Sequence, residues 1–123
     1  MKKMSLAIMV ALVSLALAMT FAHVSAWAQS AAKHATLHVK IVTNASTIGA
    51  YSPKRIVVHT GDRIVFRNTS DAPHTVTSDR TKVFDSGNIN TGASWTFTAK
   101  QTGSFAYHCT YHPGMHGTIV VKR

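Results

Sequence analysis

The sequence predicts an all-β protein, a sandwich or barrel of about seven to eight short strands. No helical period stands out after residue 30. Runs rich in β-branched and aromatic residues recur at short, even spacing instead. Clusters of Gly, Pro, Asn, Asp and Ser separate them, as turns require. With 123 residues the chain can bury one modest core, which excludes a multi-domain enzyme.

The first segment stands apart from that pattern. Lys2 and Lys3 open it, Met4 to Ala22 carry no charge, and Ala26-Trp27-Ala28 closes it. A positive start, an apolar middle and a small-x-small end read as a secretory signal peptide. The expected domains are therefore a leader at 1–28 and an exported β-domain at 29–123. A retained anchor is the rival reading and would be the one route to a membrane. Either way the domain leaves the cytosol, and the short basic start suggests a bacterial periplasm.

Strands follow in order. Leu37, Val39 and Ile41 alternate with His38 and Lys40, the mark of a half-buried strand. Thr43 to Pro53 shows no clear pattern and reads as an irregular crossing between sheets. Ile56-Val57-Val58 is a second apolar run, and Thr60-Gly61-Asp62 turns into Arg63-Ile64-Val65-Phe66-Arg67. Asn68 to Pro73 is a polar loop, and His74-Thr75-Val76-Thr77 starts another strand. Turns at 85–88 and 90–92 precede Trp95, Phe97 and Ala99, which alternate with threonines and Lys100. Gln101-Thr102-Gly103 turns into Ser104 to His108, and Thr118 to Val121 is the last strand. The core candidates are Ile41, Ile56, Val58, Ile64, Phe66, Trp95, Phe97, Phe105, Ile119 and Val121.

Composition narrows the chemistry. A single cysteine excludes an internal disulfide framework and a zinc ribbon of four thiolates. Lys+Arg 13 against Asp+Glu 4 makes the chain strongly basic, at +9. Export argues against nucleic acid as the partner; acidic proteins or an anionic membrane surface suit the charge better, and so does simple solubility. Asn44-Ala45-Ser46 and Asn68-Thr69-Ser70 fit the glycosylation pattern, a motif short enough to recur by chance.

The informative stretch is Cys109-Thr110-Tyr111-His112-Pro113-Gly114-Met115, read as a loop joining two strands. It packs a thiolate, an imidazole and a thioether together, and His74 supplies a second imidazole after an upstream turn. Two nitrogens, a thiolate and a weak thioether are the donor set of an electron-transfer copper site. Magnesium or calcium would demand oxygen ligands, and the four aspartates form no cluster. Catalytic zinc would want an open water position, which Met115 obstructs. In an oxidising compartment a lone thiol such as Cys109 needs a cap. His108 faces away from the thiolate because neighbours on a strand alternate. His116 is open between a surface residue and an adventitious second metal position. His34, His38 and His59 read as solvated, and His23 belongs to the leader.

At this point the sequence resembles the cupredoxins, the small blue type 1 copper proteins, and within them the amicyanin and plastocyanin-like branch. Ser52-Pro53-Lys54, Thr60-Gly61-Asp62, Ala72-Pro73-His74-Thr75-Val76, Phe84-Asp85-Ser86-Gly87 and Tyr107-His108-Cys109-Thr110 look like family segments in family order. The short C-x-x-H-x-x-M spacing is the amicyanin-like variant. The resemblance implies a cupredoxin-like Greek-key sandwich with one copper near one end. It implies His74, Cys109 and His112 as the trigonal ligands and Met115 as the axial one, with one-electron transfer between redox partner proteins. Two departures stand out. Tyr111 occupies a place where the family often has proline, so its N–H is available to the Cys109 sulfur. Thr75 follows the first ligand histidine where the family often has Asn, which ties the ligand loops together; a weaker tie is the expectation.

The function expected is that of a periplasmic, monomeric electron carrier that cycles Cu(I) and Cu(II), docks its partners near His112, and is not an enzyme. Its rival is a periplasmic copper-binding or copper-delivery protein using the same residues. A metal-free sandwich module would need four donors of the right types to coincide by chance. A multicopper oxidase fragment fails on size and on the number of histidine pairs.

Overall fold

In a computed structural model of the chain, residues 33–44 and 47–123 are described. The expected leader and the Asn44-Ala45-Ser46 motif therefore lie, wholly or in part, outside the described residues. The strands are β1 (Thr36–Asn44), β2 (Thr47–Ser52), β3 (Arg55–His59), β4 (Arg63–Asn68), β5 (Thr77–Ser78), β6 (Ser94–Thr98), β7 (Gly103–Cys109) and β8 (His112–Lys122). They form two four-stranded sheets, ordered β2-β1-β4-β6 and β3-β8-β7-β5. β1 runs parallel to β4 and β3 parallel to β8, so the chain crosses between sheets in Greek-key fashion. The all-β sandwich expected from the strand spacing is the fold observed.

Period-2 alternation builds the core. Val39 and Ile41 of β1, Ile64 and Phe66 of β4, Ile56 and Val58 of β3, and Ile119 and Val121 of β8 are all buried between the sheets. Fully burying such a side chain stabilises by roughly 1.5–3 kcal/mol relative to leaving it exposed. Phe105 and Tyr107 of β7 join them. Tyr107 stands opposite Gly117, where a Cβ would fall 2.2 Å from the ring, so only glycine lets the two sheet-neighbours meet. Trp95 and Phe97, expected in the core, are half-buried instead. They lie on the edge strand β6 and line an open groove with Phe84, Val83 and Phe105.

Three segments differ from the sequence expectation. Residues 47–52 are a regular strand, β2, paired antiparallel with β1 after a register shift between Val42 and Asn44. Its alternation is hidden because Gly49 fills an inward place without a side chain, leaving Tyr51 as the large buried group. The strand expected from His74 shrinks to Thr77–Ser78, while His74 makes an isolated bridge to Ile89. β8 begins at His112, well before the expected Thr118, because backbone pairing with β7 needs no apolar alternation. Asp62 closes the β3–β4 turn, accepting from the N–H of His59 and of Ala35 at 2.8 Å each. Those two donors hold its carboxyl below the ordinary carboxylate range.

Candidate metal centre

The sheet that carries β7 and β8 ends in a tight hairpin. Cys109 is the last residue of β7, Thr110 and Tyr111 make the turn, and His112 opens β8. Cys109 pairs with His112, yet His108 pairs with His116, so Pro113, Gly114 and Met115 have no partners on β7. That bulge turns Met115 inward, where it is 3% exposed. The stretch read as a loop is thus a bulged hairpin, and its chemistry-bearing side chains come from strand ends.

His74 approaches from the other side on the segment between β4 and β5. Its backbone is fixed by reciprocal bonds with Ile89, N to O at 3.2 Å and O from N at 2.8 Å. Behind it stands Asn68, fully buried, which donates to the carbonyls of Ala72 and Ile89 at 2.8 Å and accepts from Ser70 N–H at 2.9 Å. A side chain so enclosed is no site for a sugar, which rejects the glycosylation pattern at Asn68.

His74 Nδ1, Cys109 Sγ and His112 Nδ1 converge. The sulfur lies 3.7 Å from His74 Nδ1 and 3.5 Å from His112 Nδ1, and the two nitrogens are 3.1 Å apart. The centre of that triangle is about 2.0 Å from each corner, the bond length of imidazole and close to that of thiolate on a first-row ion. His74 and Cys109 are closed to solvent and His112 is half-buried. Burial and, next, the neighbouring His112 push the His74 imidazole below its usual pKa, so it stays neutral, the form that offers a lone pair. The Met115 thioether completes the surroundings. A Cβ placed on Gly49 would meet His74 Cε1 at 2.4 Å, Met115 Sδ at 3.0 Å and His74 Nδ1 at 3.1 Å. All four residues singled out from the sequence therefore come together.

The structure also answers the two departures. The N–H that reaches the Cys109 sulfur belongs to Thr75, at 3.4 Å, and not to Tyr111, whose hydroxyl instead meets Asn88. Thr75 replaces the expected tie effectively: its hydroxyl accepts from Thr110 N–H at 2.9 Å and lies 2.9 Å from the Thr77 hydroxyl. Its carbonyl accepts from Tyr51, whose phenol burial keeps protonated.

Gly49 was not singled out from the sequence, because nothing in Thr43 to Pro53 hints at a neighbour across the sheets. Gly49→Ala should force the His74 ring aside. We expect lower copper affinity and a shifted visible spectrum with only a small change in fold, checked by metal titration beside circular dichroism.

A two-sheet sandwich that gathers a thiolate, two imidazoles and a thioether at one end defines the class of small copper proteins. The chain belongs to the cupredoxin-like domain family, which it matches over residues 11–121. It is 31% identical over 87 residues to chloroplastic plastocyanin of Fritillaria agrestis, covering 59% of this chain and 52% of that protein. The chain thus spans about half the length of that relative. In fold it is similar to the purple cupredoxin of Nitrosopumilus maritimus, with a TM-score of 0.60 at 24% identity, covering 68% of this chain and 98% of that one. It is likewise similar to an amicyanin solved in its reduced Cu(I) form, with a TM-score of 0.61 at 23% identity over 77% of this chain and 88% of the other.

Proposed function

We propose that the protein carries single electrons between redox partner proteins, and that His74, Cys109, His112 and Met115 would hold the one copper ion this requires. The observation that carries this reading is the donor triangle, whose corners already stand about one bond length from a shared centre. Copper bound there supplies a one-electron couple, since thiolate and thioether favour Cu(I) while imidazole suits both states. The residues do the rest. Thr75 N–H donates to the sulfur, which stabilises its negative charge and tunes the site. Met115 Sδ and the backbone of Gly49 pack close to His74, so the buried side of the donor cluster is closely lined by protein, which favours a carrier over a catalyst.

His112 is the half-buried member, flanked by exposed Tyr111, Pro113 and Gly114. These form a small rim on which a partner docks, and electrons pass by the His112 edge. The leader expected at 1–28 supports a bacterial periplasm as the compartment, and a free docking rim suits a monomer. Adding Cu(II) should give an intense visible thiolate band, a reversible potential and fast self-exchange. A colourless Cu(I) form that is readily handed to a chelator would favour copper delivery instead. Tyr111→Glu should slow electron exchange at least about tenfold, a change of roughly 1.4 kcal/mol in barrier, without altering the band. Unchanged exchange kinetics would reject the rim.

A further inference from the structure

On the outer face of the β7–β8 sheet, two histidines stand directly opposite each other. His108 and His116 are cross-strand partners, with ring centres 6.3 Å apart and planes inclined by 51°. Their neighbours Tyr107, Cys109, Met115 and Gly117 are all buried, so alternation sends both imidazoles to the solvent side. The bulge that turns Met115 inward is also what brings His116 level with His108. Two imidazoles on one ion, with bonds of 2.0–2.1 Å, have ring centres about 5 to 6 Å apart, a small rotamer change from the observed spacing.

A carboxylate completes the arrangement. Asp79 Oδ1 lies 2.6 Å from His108 Nδ1, and Asp79 N–H is anchored to the carbonyl of Ala106 on β7 at 3.0 Å. A carboxylate that accepts a hydrogen bond from Nδ1–H fixes the tautomer in which Nε2 carries the lone pair, and it makes that nitrogen a better ligand. Histidine pairs on a surface are common, but a pair in register, with one ring oriented by an anchored carboxylate, has the parts of a ligand set.

We propose that His108 and His116 form a second, solvent-facing site for a divalent transition-metal ion, with Asp79 as the positioning residue for His108. Imidazole donors and an open face suit Zn(II), Ni(II) and, most strongly, Cu(II), with water filling the remaining positions. The ion would clip β7 to β8 just beyond the hairpin that holds Cys109 and His112, on the opposite face from them. It is separate from the buried cluster and shares no donor with it.

The test is calorimetric titration of Zn(II) into copper-loaded protein, with the visible band followed throughout. One equivalent of zinc should bind while the band stays unchanged. His116→Ala should weaken that binding at least about tenfold, and Asp79→Asn by about 10-fold or more, the usual effect of losing a partner that orients a ligand. Excess zinc should also raise the unfolding midpoint of the wild-type protein and leave that of His116→Ala unmoved. Equal binding by His116→Ala and wild type, or zinc uptake only at the expense of the visible band, overturns the site.

Discussion

Cys109→Ala protein should fold, yet stay colourless when Cu(II) is added. The sulfur is the one soft anionic donor in the cluster, 3.5 and 3.7 Å from the two imidazole nitrogens. Removing it leaves two imidazole nitrogens and a thioether, which hold copper weakly and give no thiolate band. Affinity should fall by more than about a hundredfold. The fold should tolerate the change, because a buried cysteine behaves as a small hydrophobe and alanine vacates little volume; about 1 kcal/mol is the expected cost. Visible absorption with metal titration reads the first effect, and urea unfolding of the metal-free protein reads the second. An intense band that survives the substitution would remove Cys109 from the centre.

Asn68→Ala should be the most destabilising single change outside the apolar core. Its side chain makes four hydrogen bonds, to the carbonyls of Ala72 and Ile89 and from the N–H and hydroxyl of Ser70. Each contributes on the order of 1 kcal/mol, and truncation leaves buried polar atoms without partners. A loss of about 3–5 kcal/mol follows, a large share of the 5–15 kcal/mol typical of a domain. Ile89 also holds the His74 backbone, so the same change should loosen that imidazole and weaken copper binding. Denaturant midpoints for Asn68→Ala and for the milder Asn68→Ser would measure the effect. A midpoint within experimental error of wild type would show that the loop does not depend on this side chain.

The parts that could be read in advance were those whose signal is local. Alternation in β1, β3 and β4 pointed to Ile41, Val58 and Phe66 because a sheet buries every second side chain. Cys109, His112 and Met115 were legible because their donor types are unusual and sit within seven residues. What escaped depends on distant pairing. Gly49 matters only because the other sheet brings His74 against it, and glycine has no side chain to advertise that. Asn68 looked like a loop polar residue, since nothing nearby reveals that Ala72 and Ile89 turn their carbonyls toward it. The pairing of His108 with His116 rests on a bulge, and an unpaired insertion leaves no periodic trace.

Thr75 links three elements at once, through its N–H to Cys109, its hydroxyl to Thr110 and its carbonyl to Tyr51 of β2. Segments that bind ligands are generally drawn from the least stable part of a molecule and open independently of the rest. Here the histidine loop and the cysteine hairpin are latched to each other and to the opposite sheet. They should therefore open together with the body of the sandwich and not ahead of it, which keeps the metal-binding end shut while the domain is folded.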